Sequence, residues 1–363
     1  MSGTVNWDVR TREEKFLTSP PLAVESAARC PRIVALGGGT GLPAVLEGLS
    51  RAAALRGVRD PDLVTGIVTV TDDGGSSGRL REQFGILPPG DARNCLLALT
   101  DGDSQFKDLL QHRLDEGSGL VGHPLGNLLL TALTQRTGDF AEAIAQLGAM
   151  IGSRGRVLPA TLENVRLRAE LESGETVNGE TRIVRHASPV RRLSLEPRAK
   201  AHPAVLEALV AADGIVVGPG SLYTSVLPNL LVGGVAATMN SVRGVRIYVA
   251  NLVTDPGEAD DYSLDDHLRV IRAHTEFDLF DYVMVNRRPV THSAVRRYAE
   301  RGSQPVTVDR MLSHAGHAQI VECDLATEWR GTRIRHHPGS LARAIRGLVN
   351  AGLEKTDARH PGV

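Results

Sequence analysis

Short apolar runs recur along the chain, each closed by glycine or by polar residues. Residues 33–36 read Ile-Val-Ala-Leu and end at a glycine cluster, and 42–55 then carries apolar positions at helical spacing. Residues 64–70 are rich in Thr and β-branched side chains, and 215–217, 245–250 and 282–285 repeat the short apolar pattern. The runs are continuous rather than alternating, and helical stretches separate them. That pattern predicts a doubly wound α/β fold, a mostly parallel sheet covered on both faces. The segment at about 155–200 differs: it alternates, carries many Arg and Glu, and contains Ser173-Gly174 and Asn178-Gly179. It predicts a small antiparallel hairpin insertion.

Residues 1–28 show no clean period and include Ser19-Pro20-Pro21, so a disordered leader is expected there. Residues 29–351 read as one domain and 352–363 as a short tail. No internal repeat is visible. Residues 214–242 carry no charged side chain, long enough to raise a membrane helix. Gly218, Pro219, Gly220 and Pro228 would leave broken backbone unsatisfied in a bilayer, so a buried strand, loop and helix is expected instead.

Composition narrows the function classes. With 41 basic and 42 acidic residues the net charge is −1, which gives no field to gather nucleic acid. Cys30, Cys95 and Cys323 are far apart and odd in number, against a disulfide framework or a zinc knuckle. The polar N-terminus carries acidic residues and lacks the pattern of a secretory leader. A cytoplasmic protein that is not embedded in a membrane is expected.

The chemistry gathers after the strands, where ligands sit in open parallel sheets. Gly37-Gly38-Gly39-Thr40-Gly41 closes the first strand and opens a helix, a place for backbone N–H groups to cradle phosphate. The strict dinucleotide fingerprint needs glycine where Leu42 stands, and the phosphate loop of NTPases needs lysine there; both fail. Thr71-Asp72-Asp73-Gly74-Gly75-Ser76-Ser77-Gly78-Arg79 follows the second strand. Its paired carboxylates suit a divalent cation such as Mg²⁺, a ribose hydroxyl or a base role, and its glycines and serines suit an anion. One Asp-Gly turn alone would be a solvated cap.

Asp91 is placed to cap the next helix, with Arg93 and Asn94 in its first turn facing either ligand or solvent. His123 and Asn127 stand at another helix start, where capping and ligand roles are both open. Gly218-Pro219-Gly220-Ser221-Leu222-Tyr223-Thr224-Ser225 forms a second glycine and hydroxyl loop. Asn251 and Thr254 follow the fourth strand, within reach of a base or sugar. No nucleophile and base pair is evident, so no catalytic residue is assigned.

Six motifs in this order resemble the YvcK family, the gluconeogenesis factors. They are Gly-Gly-Gly-Thr-Gly at 37–41, Thr-Asp-Asp-Gly-Gly-Ser-Ser-Gly-Arg-Leu-Arg at 71–81, Pro-Gly-Asp-Ala-Arg-Asn at 89–94 and His-Pro-Leu-Gly-Asn at 123–127. Gly-Pro-Gly-Ser-Leu-Tyr-Thr-Ser at 218–225 and Asn-Leu-Val-Thr-Asp-Pro-Gly-Glu at 251–258 complete the set. The resemblance covers about residues 31–350. These proteins are relatives of the phospholactate transferase CofD of deazaflavin cofactor synthesis, whose pattern around its paired aspartates differs.

The resemblance implies a Rossmann-like fold, a cytoplasmic location and binding of UDP-sugars such as UDP-N-acetylglucosamine. It implies a role in cell shape and peptidoglycan synthesis during gluconeogenic growth, with homo-oligomers and cell-envelope synthesis proteins as expected partners. It also implies that Tyr298 and Arg335 take part in UDP-sugar binding. A Tyr ring can stack on uracil and an Arg fork suits a diphosphate. Relatives commonly show Arg-His-Asp before the last helix. His337 replaces that Asp here, and a weaker cap is expected. The ligand set is therefore Gly38, Gly39, Thr40, Gly41, Asp72, Asp73, Ser76, Ser77, Arg93, Asn94, His123, Asn127, Gly218, Gly220, Ser221, Tyr223, Thr224, Asn251, Thr254, Tyr298 and Arg335, with Mg²⁺ an option at Asp72 and Asp73. A binding protein without turnover is favoured, and a CofD-like Mg-dependent transferase is the alternative.

Overall fold

The computed structural model describes residues 16–17 and 30–359, apart from 102–104, 118, 187, 310–311 and 330–332. Its main sheet contains the five expected strands: β2 (Ile33–Gly37), β3 (Val64–Val68), β8 (Gly214–Val217), β9 (Val245–Val249) and β10 (Tyr282–Asn286). The first three are buried at every position, because helices cover both faces of the sheet. Three more strands join it: β1 (Phe16–Leu17), β4 (Arg156–Pro159) and β11 (Gln319–Cys323). The order is β1-β11-β10-β9-β8-β2-β3-β4 and every pairing is parallel. From β2 the chain runs outward through β3 to β4, then returns to β8 and runs outward the other way. This doubly wound order reverses between β2 and β8, where a crevice opens at the carboxyl ends of the strands.

The insertion corrects the sequence reading. Its first strand, β4, belongs to the main sheet, where Gly66 pairs with Val157. The charged neighbours of Val157 and Leu158 disguised a buried run. The antiparallel part has three strands rather than one hairpin, β5 (Arg166–Leu171), β6 (Thr176–Asn178) and β7 (Val190–Glu196), in the order β6-β5-β7. Leu167, Ala169 and Leu171 alternate inward along β5. A short helix, Glu180–Val184, follows β6.

At the ends, residues 352–359 of the expected tail continue the helix Pro338–Arg359, and 360–363 lie outside the described residues. The expected leader lies outside the described residues except for Phe16–Leu17, which pairs with Ile320 and Val321. The first helix, Gly41–Ala54, buries Leu42, Val45, Leu46 and Leu49. It lies so close to the last helix that a methyl group on Gly48 would stand 2.1 Å from the Pro338 carbonyl. The hairpin β12 (Ala326–Trp329) and β13 (Arg333–His336) precedes that last helix. The uncharged stretch 214–242 is β8, a loop and short buried helices. No described helix is long and apolar enough to cross a membrane.

Candidate functional site

Two loops meet at the crevice between β2 and β8. In the first, Gly39 takes a left-handed φ of +60°, and Gly41 opens the helix against the second loop. A methyl group on Gly41 would lie 1.9 Å from the Pro219 carbonyl oxygen, so only glycine lets the loops interlock. A methyl group on Gly38 would lie 2.7 Å from Asp91 Oδ2. Thr40 is exposed and its hydroxyl makes no cap bond. The positive end of the helix therefore opens on the crevice with no acidic residue in its first turn.

In the second loop Gly218 also has positive φ, +78°. The N–H of Gly220 donates to Asn251 Oδ1 at 3.0 Å, and Asn251 Nδ2 donates to Asp255 Oδ2 at 3.0 Å. Asn251 thus ties the 251–255 loop to the glycine loop. The far wall is β13. Arg335 is exposed, and its side chain makes no hydrogen bond or ion pair among the described residues. His336 is hooked to the Ala250 carbonyl through Nε2 at 3.2 Å, and burial lowers its pKa to about 4. The cleft so enclosed has a volume of about 630 Å³ and is lined by Gly38 to Gly41, Gly220, Ser221, Ser225, Asn251, Asp255, Arg335 and His337, among others. That volume is in the range of small-molecule sites.

The remaining polar residues lie behind the first loop. Asp91 does not cap its helix; Pro89 precedes it there, and the Asp91 carboxylate instead accepts the Gly39 N–H at 2.9 Å. Burial and the nearby Asp72 push its pKa up to about 7. Asp72 accepts the Gly74 N–H at 2.8 Å, and burial raises its pKa too. Asp73 is occupied by the backbone N–H and hydroxyl of Thr181, at 2.9 and 2.7 Å. Beside Thr181, Glu180 brings a further carboxyl group from the insertion. Burial, then Asp72, Asp91, Glu258 and Asp73, raise its pKa to about 9. Glu258 accepts from Thr224 Oγ1 at 2.9 Å, and burial raises its pKa to about 7. Glu180 Oε2 and Glu258 Oε2 are buried without a partner among the described residues.

No group of three or more His, Cys, Asp or Glu stands in a metal-holding array among the described residues. Mg²⁺ needs fewer protein ligands, because it keeps waters and takes the rest from phosphate. Of the expected pair, Asp72 already accepts the Gly74 N–H and Asp73 is held by Thr181. Ser76, Arg93, Asn94, His123 and Asn127 are joined by hydrogen bonds at three helix starts, Ser77 accepts the Gly90 N–H at 3.2 Å, and none of the six lines the cleft.

Several expected ligands are placed elsewhere. Tyr223 is wholly buried and its hydroxyl meets the Val190 carbonyl and Tyr262, both at 3.2 Å. It packs the insertion onto the main domain. Thr224 is buried against Glu258. Thr254 is 3% exposed and its hydroxyl receives the Gln304 N–H at 3.0 Å. Tyr298 does not line the cleft; its hydroxyl receives the Ile334 N–H at 3.1 Å and so holds β13 in place. His337 is no weaker cap by default: its Nδ1 accepts the Ser340 N–H at 3.1 Å, the role an Asp would fill. Glu180, Glu258 and His336 escaped the sequence reading. Only Glu258 lay within a recognised motif.

A family model described as 2-phospho-L-lactate transferase CofD matches residues 33–326. The gluconeogenesis factor of Halalkalibacterium halodurans is 43% identical over 314 residues, covering 86% of this chain and 95% of that relative. That of Bacillus subtilis is 38% identical over 320 residues, covering 88% and 98%. A crystal structure of a UPF0052 family member from Bacillus halodurans superposes with a TM-score of 0.81 at 40% identity. It covers 87% of this chain and 99% of that one.

Proposed function

This chain belongs to the gluconeogenesis factor family, which falls within the CofD-like proteins, and from that premise we propose that its cleft binds a UDP-sugar of the UDP-N-acetylglucosamine type. One observation carries the reading: the open N-terminus of the helix Gly41–Ala54 faces the unpaired Arg335 across a cleft of about 630 Å³. Gly38, Thr40 and Gly41 offer N–H groups and a hydroxyl to a diphosphate, while Gly39, its N–H held by Asp91, shapes the turn. Gly218 and Gly220 shape the loop that carries Ser221 to the sugar side. Arg335 brings a fork of donors matched to phosphate oxygens. Tyr298 contributes by holding β13 rather than by stacking on the base.

In this reading the protein is a cytoplasmic regulator that senses a cell-wall precursor and links carbon supply to cell shape and peptidoglycan synthesis. Its partners would be cell-envelope synthesis proteins or a second copy of the chain. A second reading has its own support. The buried carboxyl groups of Asp72, Asp91, Glu180 and Glu258 suit a CofD-like Mg-dependent transfer from a nucleotide diphosphate. Bound Mg²⁺ would neutralise phosphate charge; the chain's own part is to hold Asp91 against the Gly39 N–H and Asp72 in the turn beside it.

Calorimetry with UDP-N-acetylglucosamine, UDP-glucose, GDP and NAD, with and without Mg²⁺ and followed by product analysis, separates the readings. UDP-sugar binding without product, weakened about tenfold or more in Arg335→Ala, is expected. Silence towards every uridine nucleotide would overturn the first reading. Product formed only with Mg²⁺, and lost in Asp72→Asn, would establish the second.

A further inference from the structure

The cluster behind the cleft has a proton arrangement that can be worked out. Ser76, Arg93 and Asn127 stand in the first turns of the helices Gly75–Phe84, Gly90–Leu99 and Leu125–Thr137. Three positive helix ends therefore converge. Arg93 cannot accept, so its Nη1 donates to Asn127 Oδ1 at 2.6 Å, and its Nη2 donates to Asn94 Oδ1 at 2.7 Å. Asn127 Nδ2 must then donate to Ser76 Oγ at 2.9 Å. The Ser76 hydroxyl, 2.8 Å away, can then donate to His123 Nδ1, and in that arrangement the ring is neutral with its proton on Nε2. Burial, then Arg79 and Arg113, lower its pKa in the same sense.

That Nε2–H, on the ring edge away from Ser76, meets no acceptor among the described residues, and neither does the Arg93 Nε–H. His123 is only 1% exposed and Arg93 only 7%. Buried donors without acceptors are costly and call for an explanation. Two more cations flank them. Arg79 Nη2 donates to the Val121 carbonyl and Arg113 Nη1 to the Gly122 carbonyl, each at 2.8 Å, on the two residues just before His123. None of Arg79, Arg93 and Arg113 forms an ion pair among the described residues. The carboxyl group that acts on Arg93, Asp91, is already held by the Gly39 N–H.

We propose that His123, Arg93, Arg79 and Arg113 form a second anion site, separate from the cleft, that takes the phosphate or carboxylate end of a small metabolite. An oxyanion supplies the acceptors that both orphaned N–H groups lack, and it neutralises an arginine group that forms no ion pair among the described residues. The inference does not depend on what the cleft binds.

Calorimetric titration with inorganic phosphate, glycerol 3-phosphate and acetate, each with and without saturating UDP-N-acetylglucosamine, tests it. Saturable binding of at least one probe, undisplaced by the nucleotide sugar, is expected; the acetate arm tells carboxylate from phosphate. That binding should weaken about tenfold or more in Arg113→Ala and in His123→Ala. Arg113 is exposed and reaches only a loop carbonyl, so Arg113→Ala should melt at the wild-type temperature even if His123→Ala does not fold. No saturable binding of any probe would overturn the site. So would full-strength binding by an Arg79→Ala, Arg113→Ala double variant, or displacement of every probe by UDP-N-acetylglucosamine, which would put the anion in the cleft.

Discussion

Gly41 begins a helix with no room for a side chain, because the Pro219 carbonyl stands where a methyl group would go. Gly41→Ala should push the two loops apart, lower stability by about 1–3 kcal/mol and weaken nucleotide-sugar binding further than the fold. Urea unfolding and calorimetry on the same protein check both halves. The buried acids make a second prediction. Asp91 is raised from 3.8 to about 7 and Glu180 from 4.5 to about 9. Between those limits the folded chain holds protons that the unfolded chain has lost, so stability falls as pH rises from about 4 towards 9. Glu180→Gln removes the larger part of that loss. Its melting temperature in chelator should exceed wild type at pH 8.5, and the gain should shrink by pH 5. A gain independent of pH would show that Glu180 is ionised throughout. At this scale the glycines were legible, because a glycine cluster after a strand has few other uses. The residues around Asp91 resemble a helix cap, but its actual partner, the Gly39 N–H, lies 52 positions away. Glu180 gave no signal at all, since nothing local reports that an insertion folds back onto the Asp72 turn.

The hairpin β12–β13 shows what an element adds. It carries Arg335 to the cleft and is fastened by His336 to the Ala250 carbonyl and by the Tyr298 hydroxyl to the Ile334 N–H. Stacking and positioning make different demands on Tyr298. If the ring stacks on a base, Tyr298→Phe should bind nearly as the wild type does. The hydrogen bond to β13 predicts instead that Tyr298→Phe loses about as much affinity as Tyr298→Ala, roughly tenfold, with little change in melting temperature. Calorimetry on the two variants decides, and an unaffected Tyr298→Phe would return the ring to the ligand. Strands with continuous apolar runs were readable because burial on both faces leaves no other pattern. Those missed were short or charged: β4 lies between Arg156 and Pro159, and β11 reads Gln-Ile-Val-Glu-Cys. Hairpin β12–β13 is half polar because one side of it faces the cleft.

The whole molecule places two kinds of chemistry on opposite sides of one loop. The reversal of strand order between β2 and β8 opens the cleft, and the loop 37–41 forms its floor. Behind that floor lie the carboxyl groups of the 72–91 turns and Glu180 from the insertion, joined to the loop by the Gly39 to Asp91 bond. A ligand confined to the cleft should stiffen only what encloses it. Hydrogen exchange with saturating UDP-N-acetylglucosamine should therefore slow at 38–42, 219–221 and 334–336, and leave β5, β6 and β7 at their free rates. Mg²⁺ added to that complex should extend protection to 72–77 and 180–181 only if phosphate and carboxyl groups share the ion. Protection of 72–77 by the nucleotide sugar alone would mean that the diphosphate reaches past the loop, so that cleft and acidic chamber act as one site. The two outcomes distinguish a sensor that closes on its ligand from a transferase that brings donor and metal together, because only the second needs both sides of the loop at once.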